Sequence, residues 1–308
     1  MNGATTPPHD TQTATELDAA GPHSDDATFR SGFVAVLGRP NVGKSSLVNR
    51  MCGEKVSITS WHPNTTRTSV RGVLDTDDAQ IVFVDTPGIH RPRSALGHRL
   101  NETATAALED VDVCLLVLDA SAAVGPGDRF IAAQLPADTV VVVNKADRAS
   151  PPEVLSQLAA ASELGLSGAE YFPLSARTGD GVGALVDHLV ARLPRGPRYY
   201  PPGMVRDAPD AVYVAELVRE QLLRAAREEL PHSIACRVTE WEWPYIAVEI
   251  LVERESQKRI VVGRGGEVLK RAGTIVRASL PPGAYLDLRV VVERDWQRRP
   301  EVIERLGY

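Results

Sequence analysis

Cysteine is scarce: the chain holds Cys52, Cys114 and Cys236, scattered and without metal-ligand spacing. That pattern excludes a disulfide framework and suits buried or surface thiols in a reducing cytosol. No apolar run reaches the roughly 18 residues a membrane helix needs. The N-terminal stretch lacks the basic start and apolar centre of a signal peptide. A strong excess of either charge is missing too. The net charge of -6 is uneven: residues 1–31 carry one Arg against five acids, 32–203 carry 16 basic and 18 acidic residues, and 204–308 carry 17 of each. Bulk charge therefore does not announce a nucleic-acid binder, and any such function must rest on a local patch. No internal repeat is present.

What remains is the composition of an ordinary globular protein, with 43% hydrophobic and 24% charged residues over 308 positions. That length predicts two domains, with room for a tail. Residues 1–31, rich in Thr, Ala, Asp, Pro and Gly, bury too little apolar surface to offset ordering entropy and read as a disordered tail. From Gly32, apolar runs at Phe33–Leu37, Ile81–Val84, Val113–Leu118, Val140–Val143 and Glu170–Pro173 read as buried parallel strands. Helix-like stretches lie between them at Ser45–Met51, Asn101–Leu108, Asp128–Leu135, Glu153–Leu164 and Gly181–Leu193. This alternation predicts an α/β fold with a doubly wound, mostly parallel sheet over 32–195, whose ligands sit beyond the carboxyl ends of the strands. A Pro-rich connector follows over 196–209. Residues 210–308 then predict α-β-β-α-α-β: a helix over Asp210–Glu229, strands Ile234–Trp241 and Tyr245–Glu253, a short helix near Gln257–Val261, a helix Glu267–Ser279 and a strand Tyr285–Val292.

The motifs fall at strand ends. Gly38-Arg39-Pro40-Asn41-Val42-Gly43-Lys44-Ser45 matches G-x-x-x-x-G-K-[ST] between an apolar strand and a helix, the context that pattern requires. Glycines let the backbone wrap phosphate, and the amides through Ser46 point inward at a helix N-terminus. Lys44 suits the β- and γ-phosphates and the Ser45 hydroxyl suits Mg²⁺. Asp85-Thr86-Pro87-Gly88 ends the next strand about forty residues on. Its carboxylate suits Mg²⁺, usually through water, and the Gly88 N–H suits the γ-phosphate. Such a turn alone is common; the distance from the first motif gives it weight. Asn144-Lys145-Ala146-Asp147 follows the Val140–Val143 strand. A carboxylate at Asp147 accepts both N1–H and N2–H₂ of guanine, and adenine would leave it unpaired. Asn144 either ties the loop together or reaches N7, the Lys145 stem suits the purine face, and Ser175-Ala176-Arg177 offers a backbone N–H to guanine O6.

This set resembles the translation-factor-related GTPases, and more closely the Era-like family, over about residues 32–308. The resemblance implies GTP hydrolysis with GTP/GDP and Mg²⁺ as ligands. It implies that a threonine of Asn64-Thr65-Thr66-Arg67-Thr68 meets Mg²⁺ and the γ-phosphate, Thr66 by position with Thr65 as runner-up. Ile89 stands where many small GTPases place a water-orienting Gln, so catalysis must use another group, a cation or a partner. In Era-like proteins an Asn at the place of Asn41 is associated with K⁺ beside the phosphates, so K⁺-stimulated hydrolysis is expected, with Arg39 and Arg67 as weaker substitutes.

Beyond the connector, Gly263-Arg264-Gly265-Gly266 supplies G-x-x-G between two apolar helices. Alone that pattern is weak. With the surrounding elements it is similar to a type II KH domain, whose loop approaches the backbone of about four nucleotides. Lys258, Arg259, Arg264, Lys270 and Arg271 face only Glu267 within residues 258–271. Trp241, Trp243 and Trp296 are expected in the core rather than stacked on bases. The resemblance further implies binding to the 3′ end of small-subunit ribosomal RNA and the 30S particle. It also implies a cytoplasmic monomer, leaving peripheral contact with the cell membrane open. GTP would set the placement of the two domains, with residues 194–204 as transmitter. Two rivals stand beside it: a GTPase subunit of a tRNA-modification system, which would need a helical carrier domain or catalytic Cys, and a passive RNA-binding module stabilised by nucleotide.

Overall fold

The structure, a computed structural model, describes residues 28–62, 65–90, 92, 94–225 and 233–308. Residues 1–27 of the expected tail lie outside the described residues. Its last positions do not: Phe29 is buried under the Arg198 guanidinium, 4.2 Å from the ring centre, and the first strand starts at Arg30.

The first domain is built from β1 (Arg30–Leu37), α1 (Lys44–Cys52), β2 (Val70–Asp75), β3 (Ala79–Asp85), α2 (Ala95–Ala106), β4 (Val113–Asp119), α3 (Pro126–Ala132), β5 (Val140–Asn144), α4 (Pro151–Ser162), β6 (Tyr171–Pro173), α5 (Val182–Arg192) and β7 (Arg206–Asp207). The sheet order is β6-β5-β4-β1-β3-β2-β7, with every strand parallel except β2, which pairs antiparallel with both β3 and β7. The central strands are apolar on both faces because helices cover both. Leu47, Val48, Leu185 and Leu189 of α1 and α5 close one face; Ala104, Ile131 and Ala161 of α2, α3 and α4 close the other.

The second domain comprises α6 (Asp210–Ala225), β8 (Ala235–Glu242), β9 (Tyr245–Val252), α7 (Glu255–Val262), α8 (Glu267–Arg277), β10 (Tyr285–Val292) and α9 (Pro300–Arg305). Its sheet runs β10-β9-β8, with β10 parallel to β9, and α6 and α8 pack on it. The order through β10 is the α-β-β-α-α-β expected.

Four features differ from the sequence reading. The edge strands β2 and β7 are additional. Helix α2 starts six residues earlier than expected. The connector, expected as a semi-rigid boundary between domains, is attached to the first domain: the Tyr199 and Tyr200 amides donate to Gln80 Oε1 at 2.8 and 2.9 Å, and β7 pairs with β2. The unpaired amides along the β2 edge recruited it. Helix α9, also unexpected, joins Trp296 in a core against α2 of the first domain, which includes Leu96, Leu100, Val302 and Ile303.

Candidate nucleotide site and nucleic-acid interface

The phosphate loop links β1 to α1 through positions only glycine satisfies. Gly38 has φ 145° and Gly43 φ 100°. A Cβ at Gly38 would meet the Val117 carbonyl at 2.4 Å, and at Gly43 the Asn144 amide nitrogen at 2.3 Å. Gly43 caps α1 without a side-chain hydrogen bond, so the first amides of the helix, from Lys44, Ser45 and Ser46, face an anion site. Lys44 Nζ spans the loop, donating to the carbonyls of Gly38 and Arg39, both at 3.0 Å. Burial pushes its pKa down to about 8, opposed by Asp85.

Ser45, Thr66 and Asp85 converge. Ser45 Oγ lies 2.9 Å from Thr66 Oγ1, and Thr66 Oγ1 lies 3.5 Å from Asp85 Oδ2. Asp85 is fully buried, and its Oδ1 has no hydrogen-bond partner among the described residues. Burial raises its pKa, opposed first by Ser45 and then by Lys44. An orphaned buried carboxylate oxygen beside two hydroxyls is the hard-oxygen set that suits Mg²⁺ completed by phosphate and water. Gly88 packs directly on the phosphate loop: a Cβ there would lie 2.7 Å from Pro40 N. Ile89 turns into the core beside Ala35 and Leu37.

The base-side loops are tied by Asn144. Its Nδ2 donates to Val42 O at 2.9 Å, and its Oδ1 accepts from Lys145 N at 2.8 Å and Ala176 N at 3.0 Å. The first of the two roles left open for Asn144 is therefore the one its side chain fills. Of the Ser175-Ala176-Arg177 amides, that of Ala176 donates to this carboxamide and that of Ser175 to the Asp180 carbonyl at 2.9 Å. Lys145 Nζ reaches Asn41 O at 2.6 Å and Asp119 Oδ2 at 2.5 Å, laying its stem across the cleft. Asp147 accepts from Ser175 Oγ at 2.5 Å and Arg177 Nε at 2.7 Å, which hold its carboxyl below the usual range. Arg50 was not recognised from sequence. Its donors take the carbonyls of Ala176 and Arg177 at 2.9 and 2.5 Å, fixing that loop from α1. Nothing distinguishes it in the sequence from a solvated end-of-helix arginine.

Neither alternative arginine stands at the phosphates. Arg39 is paired with Asp128 at 2.7 Å, and Arg67 is turned into the second domain. Asn41, in a left-handed conformation, donates Nδ2 to Trp61 O at 2.7 Å. Asn41, Gly43, Lys44, Ser45, Thr66, Gly88 and Lys145 line a cleft of about 520 Å³ that Trp61, Arg148 and Arg224 also border.

In the second domain, Gly263, Gly265 and Gly266 all have positive φ. A Cβ at Gly263 would strike Val268 at 2.5 Å, whereas Gly265 and Gly266 have nothing within 4 Å and leave the backbone open. Arg264, Lys270 and Arg271 are exposed and Lys258 is half-buried. None of the four forms an ion pair among the described residues. Next to the loop, a groove of about 280 Å³ runs between α8 and β10, lined by Leu269, Lys270, Gly273, Arg277, Leu286 and Leu288. An apolar floor with a basic rim suits unstacked bases with phosphates at the glycines. Gly273, Arg277, Leu286 and Leu288 escaped the sequence reading, because only the fold brings α8 beside β10. Trp296 is fully buried and donates to Ser233 O at 2.9 Å, but Trp241 and Trp243 are 38% and 50% exposed. Trp241 stands on the exposed outer half of β8, opposite Ile246 of β9, and Trp243 lies in the turn between these two strands.

Nucleotide loops at the carboxyl ends of a parallel sheet, joined to this groove, define a P-loop GTPase with a KH domain. Comparisons agree. The family model of a 50S ribosome-binding GTPase matches residues 33–145, and that of the KH domain matches 229–297. GTPase Era of Mycobacterium tuberculosis strain H37Rv is 48% identical over 91% of this chain and 99% of its own. GTPase Era of Mycobacterium avium is 46% identical with the same coverage. Among solved structures, a tyrosine-to-alanine variant of Aquifex aeolicus Era bound to GDP·AlF₄⁻ superposes with a TM-score of 0.85 at 38% identity, covering 91% of this chain and 99% of that one. Era in complex with MgGDPNP and nucleotides 1506–1542 of 16S ribosomal RNA gives 0.86 at 37% identity and the same coverage. The chain belongs to the Era family of GTPases.

Proposed function

We propose that this GTPase is a small-subunit assembly factor that binds the 3′ end region of 16S ribosomal RNA through its KH groove. The observation that carries the reading is the open Gly265-Gly266 backbone, flanked by unpaired Arg264 and Lys270, in the same chain as a complete guanine-nucleotide site. A relative holding both MgGDPNP and 16S RNA matches over 91% of this chain. Ser45, Thr66 and Asp85 would hold Mg²⁺, which supplies charge neutralisation at the phosphates. Lys44, Asn41, Gly38, Val42, Gly43 and Gly88 cradle the phosphates, and Asp147 reads guanine beside Asn144, Lys145, Ser175 and Ala176.

Ile89 is packed in the core, so it orients no water. A monovalent cation held by Asn41, with the Trp61 carbonyl as a further oxygen, would supply the missing positive charge. GTP turnover is expected to be faster in K⁺ than in Na⁺ buffer; equal rates would remove this element. The passive-module rival predicts no turnover in a single-turnover assay. For the RNA, affinity for a single strand of the 16S 3′ end is expected to be at least about tenfold tighter with a GTP analogue than with GDP. Equal affinity would overturn the coupling.

A further inference from the structure

Helix α6 belongs to the second domain yet grips the threonine loop of the first at both ends. Its two faces do different work. Val214, Leu217, Val218 and Leu222 enter the second-domain core. At helical spacing on another face, Tyr213, Glu216 and Glu220 meet the loop between α1 and β2. Tyr213 Oη donates to Lys55 O at 3.1 Å. Glu220, with no exposed surface, accepts from Thr59 N at 2.9 Å and pairs with Lys55 and, at 3.4 Å, Arg224. Arg219 is equally buried. It donates to Glu216 through Nε at 2.8 Å and Nη2 at 2.5 Å, and Nη2 also reaches the Thr65 carbonyl. Two residues on, Arg67 Nη1 donates to Ile234 O at 2.8 Å, and its guanidinium lies 5.3 Å from the Trp296 ring centre and 5.5 Å from that of Tyr308. Thr66, whose hydroxyl faces Ser45 and Asp85, stands between these two anchored neighbours.

We propose that Arg219 and Glu220 are positioning residues for GTP hydrolysis, acting through Thr66. The second domain sets the threonine that the first domain presents to magnesium. This rests on the role of Thr66 given above. Removing a carboxylate and a guanidinium from water costs several kcal/mol each unless partners replace the hydration. Much of that replacement comes from the threonine loop: Thr59 N–H and the Lys55 ammonium for Glu220, the Thr65 carbonyl for Arg219. Loop and helix therefore satisfy each other, and loosening one loosens the other. Fixing a backbone costs conformational entropy, so a loop held beforehand meets Mg²⁺ and γ-phosphate with less left to order. GDP lacks the γ-phosphate, so its binding is insulated from this seat.

The test uses the full chain carrying Arg219→Lys, which removes the guanidinium fork. Turnover is expected to fall about tenfold, equal to about 1.4 kcal/mol in the barrier. The Mg²⁺ concentration for half-maximal turnover should rise, while GDP affinity stays within about twofold. In a Thr66→Ala background, single-turnover rates should show no further loss from Arg219→Lys, because the effect passes through the missing hydroxyl. Unchanged turnover and Mg²⁺ requirement would overturn the proposal. So would an equal loss in the Thr66→Ala background, or a parallel fall in GDP affinity, which marks general loosening. If circular dichroism shows Arg219→Lys unfolded, isosteric Glu220→Gln carries the same expectations. A wild-type control that hydrolyses no GTP would sink the functional reading itself.

Discussion

Lys44 carries its charge in an expensive place. Its ammonium sits between two loop carbonyls with almost no exposed surface, and burial brings its pKa from 10.5 to about 8 against the pull of Asp85. In the unfolded chain the group keeps its proton to about pH 10.4. Between about pH 8 and 10 the unfolded state therefore binds more protons, and the nucleotide-free protein gains stability as pH rises through that window. A bound polyphosphate favours the charged ammonium and raises its pKa again. GDP binding above about pH 8 must then take up a proton. Apparent GDP affinity is expected to fall above that pH by up to about tenfold per unit. Titration calorimetry in buffers of different ionisation enthalpy should register the proton taken up. Affinity flat from pH 7 to 9.5, with no buffer dependence, would show that Lys44 stays charged without nucleotide.

At the scale of elements, the loop from α7 to α8 separates strain from function. Gly263 is glycine for packing, since Val268 fills the space a Cβ would need, while Gly265 and Gly266 keep the backbone open. Arg264 and Lys270 are exposed and outside any ion pair, so replacing either with Ala should leave stability within about 0.5 kcal/mol. RNA binding should respond differently. Each lost phosphate contact makes the slope of log affinity against log salt shallower by about 0.7 for a single strand, with little dependence on RNA sequence. An unchanged slope in both variants would place the backbone contact elsewhere. The same scale shows what was legible. Strands such as Val140–Val143 announce themselves because a strand covered on both faces must be apolar throughout. Strand β2, Val-Arg-Gly-Val-Leu-Asp, is masked because its Arg and Asp stand at an edge that β7 later covers. The phosphate loop was readable because its backbone demands glycine at fixed spacing. Arg219 and Glu220 were not. Charged residues on an amphipathic helix read as a solvated face, and only the arrangement of domains buries them. Arg50 and the α8–β10 groove were hidden for the same reason, since each is made by contact between elements distant in sequence.

At the scale of the whole molecule, both loops that face the γ-phosphate position border the second domain. The threonine loop lies against α6. The loop after Asp85 leads through Gly88 and His90 into α2, whose Leu96 and Leu100 share a core with Ala235, Leu251, Trp296, Val302 and Ile303. Nucleotide and RNA therefore act on one jointed body, and linkage makes their influence reciprocal. If a GTP analogue tightens RNA binding by some factor, RNA must tighten the analogue by the same factor, expected between about 10-fold and 150-fold. GDP makes no γ-phosphate contact, so RNA should change its affinity far less. The joint can be weakened at Arg67, whose guanidinium contacts both the Trp296 and Tyr308 rings and donates to Ile234 O. Arg67→Ala removes the cation from both aromatic faces and the donor from that carbonyl. It is expected to draw the coupling factor toward one while GDP affinity holds. The measurement is a four-sided cycle, with analogue affinity with and without RNA and RNA affinity with and without analogue, in wild type and variant. A factor that survives Arg67→Ala undiminished would mean that the α6 contacts to the threonine loop and the α2 core carry the coupling without it.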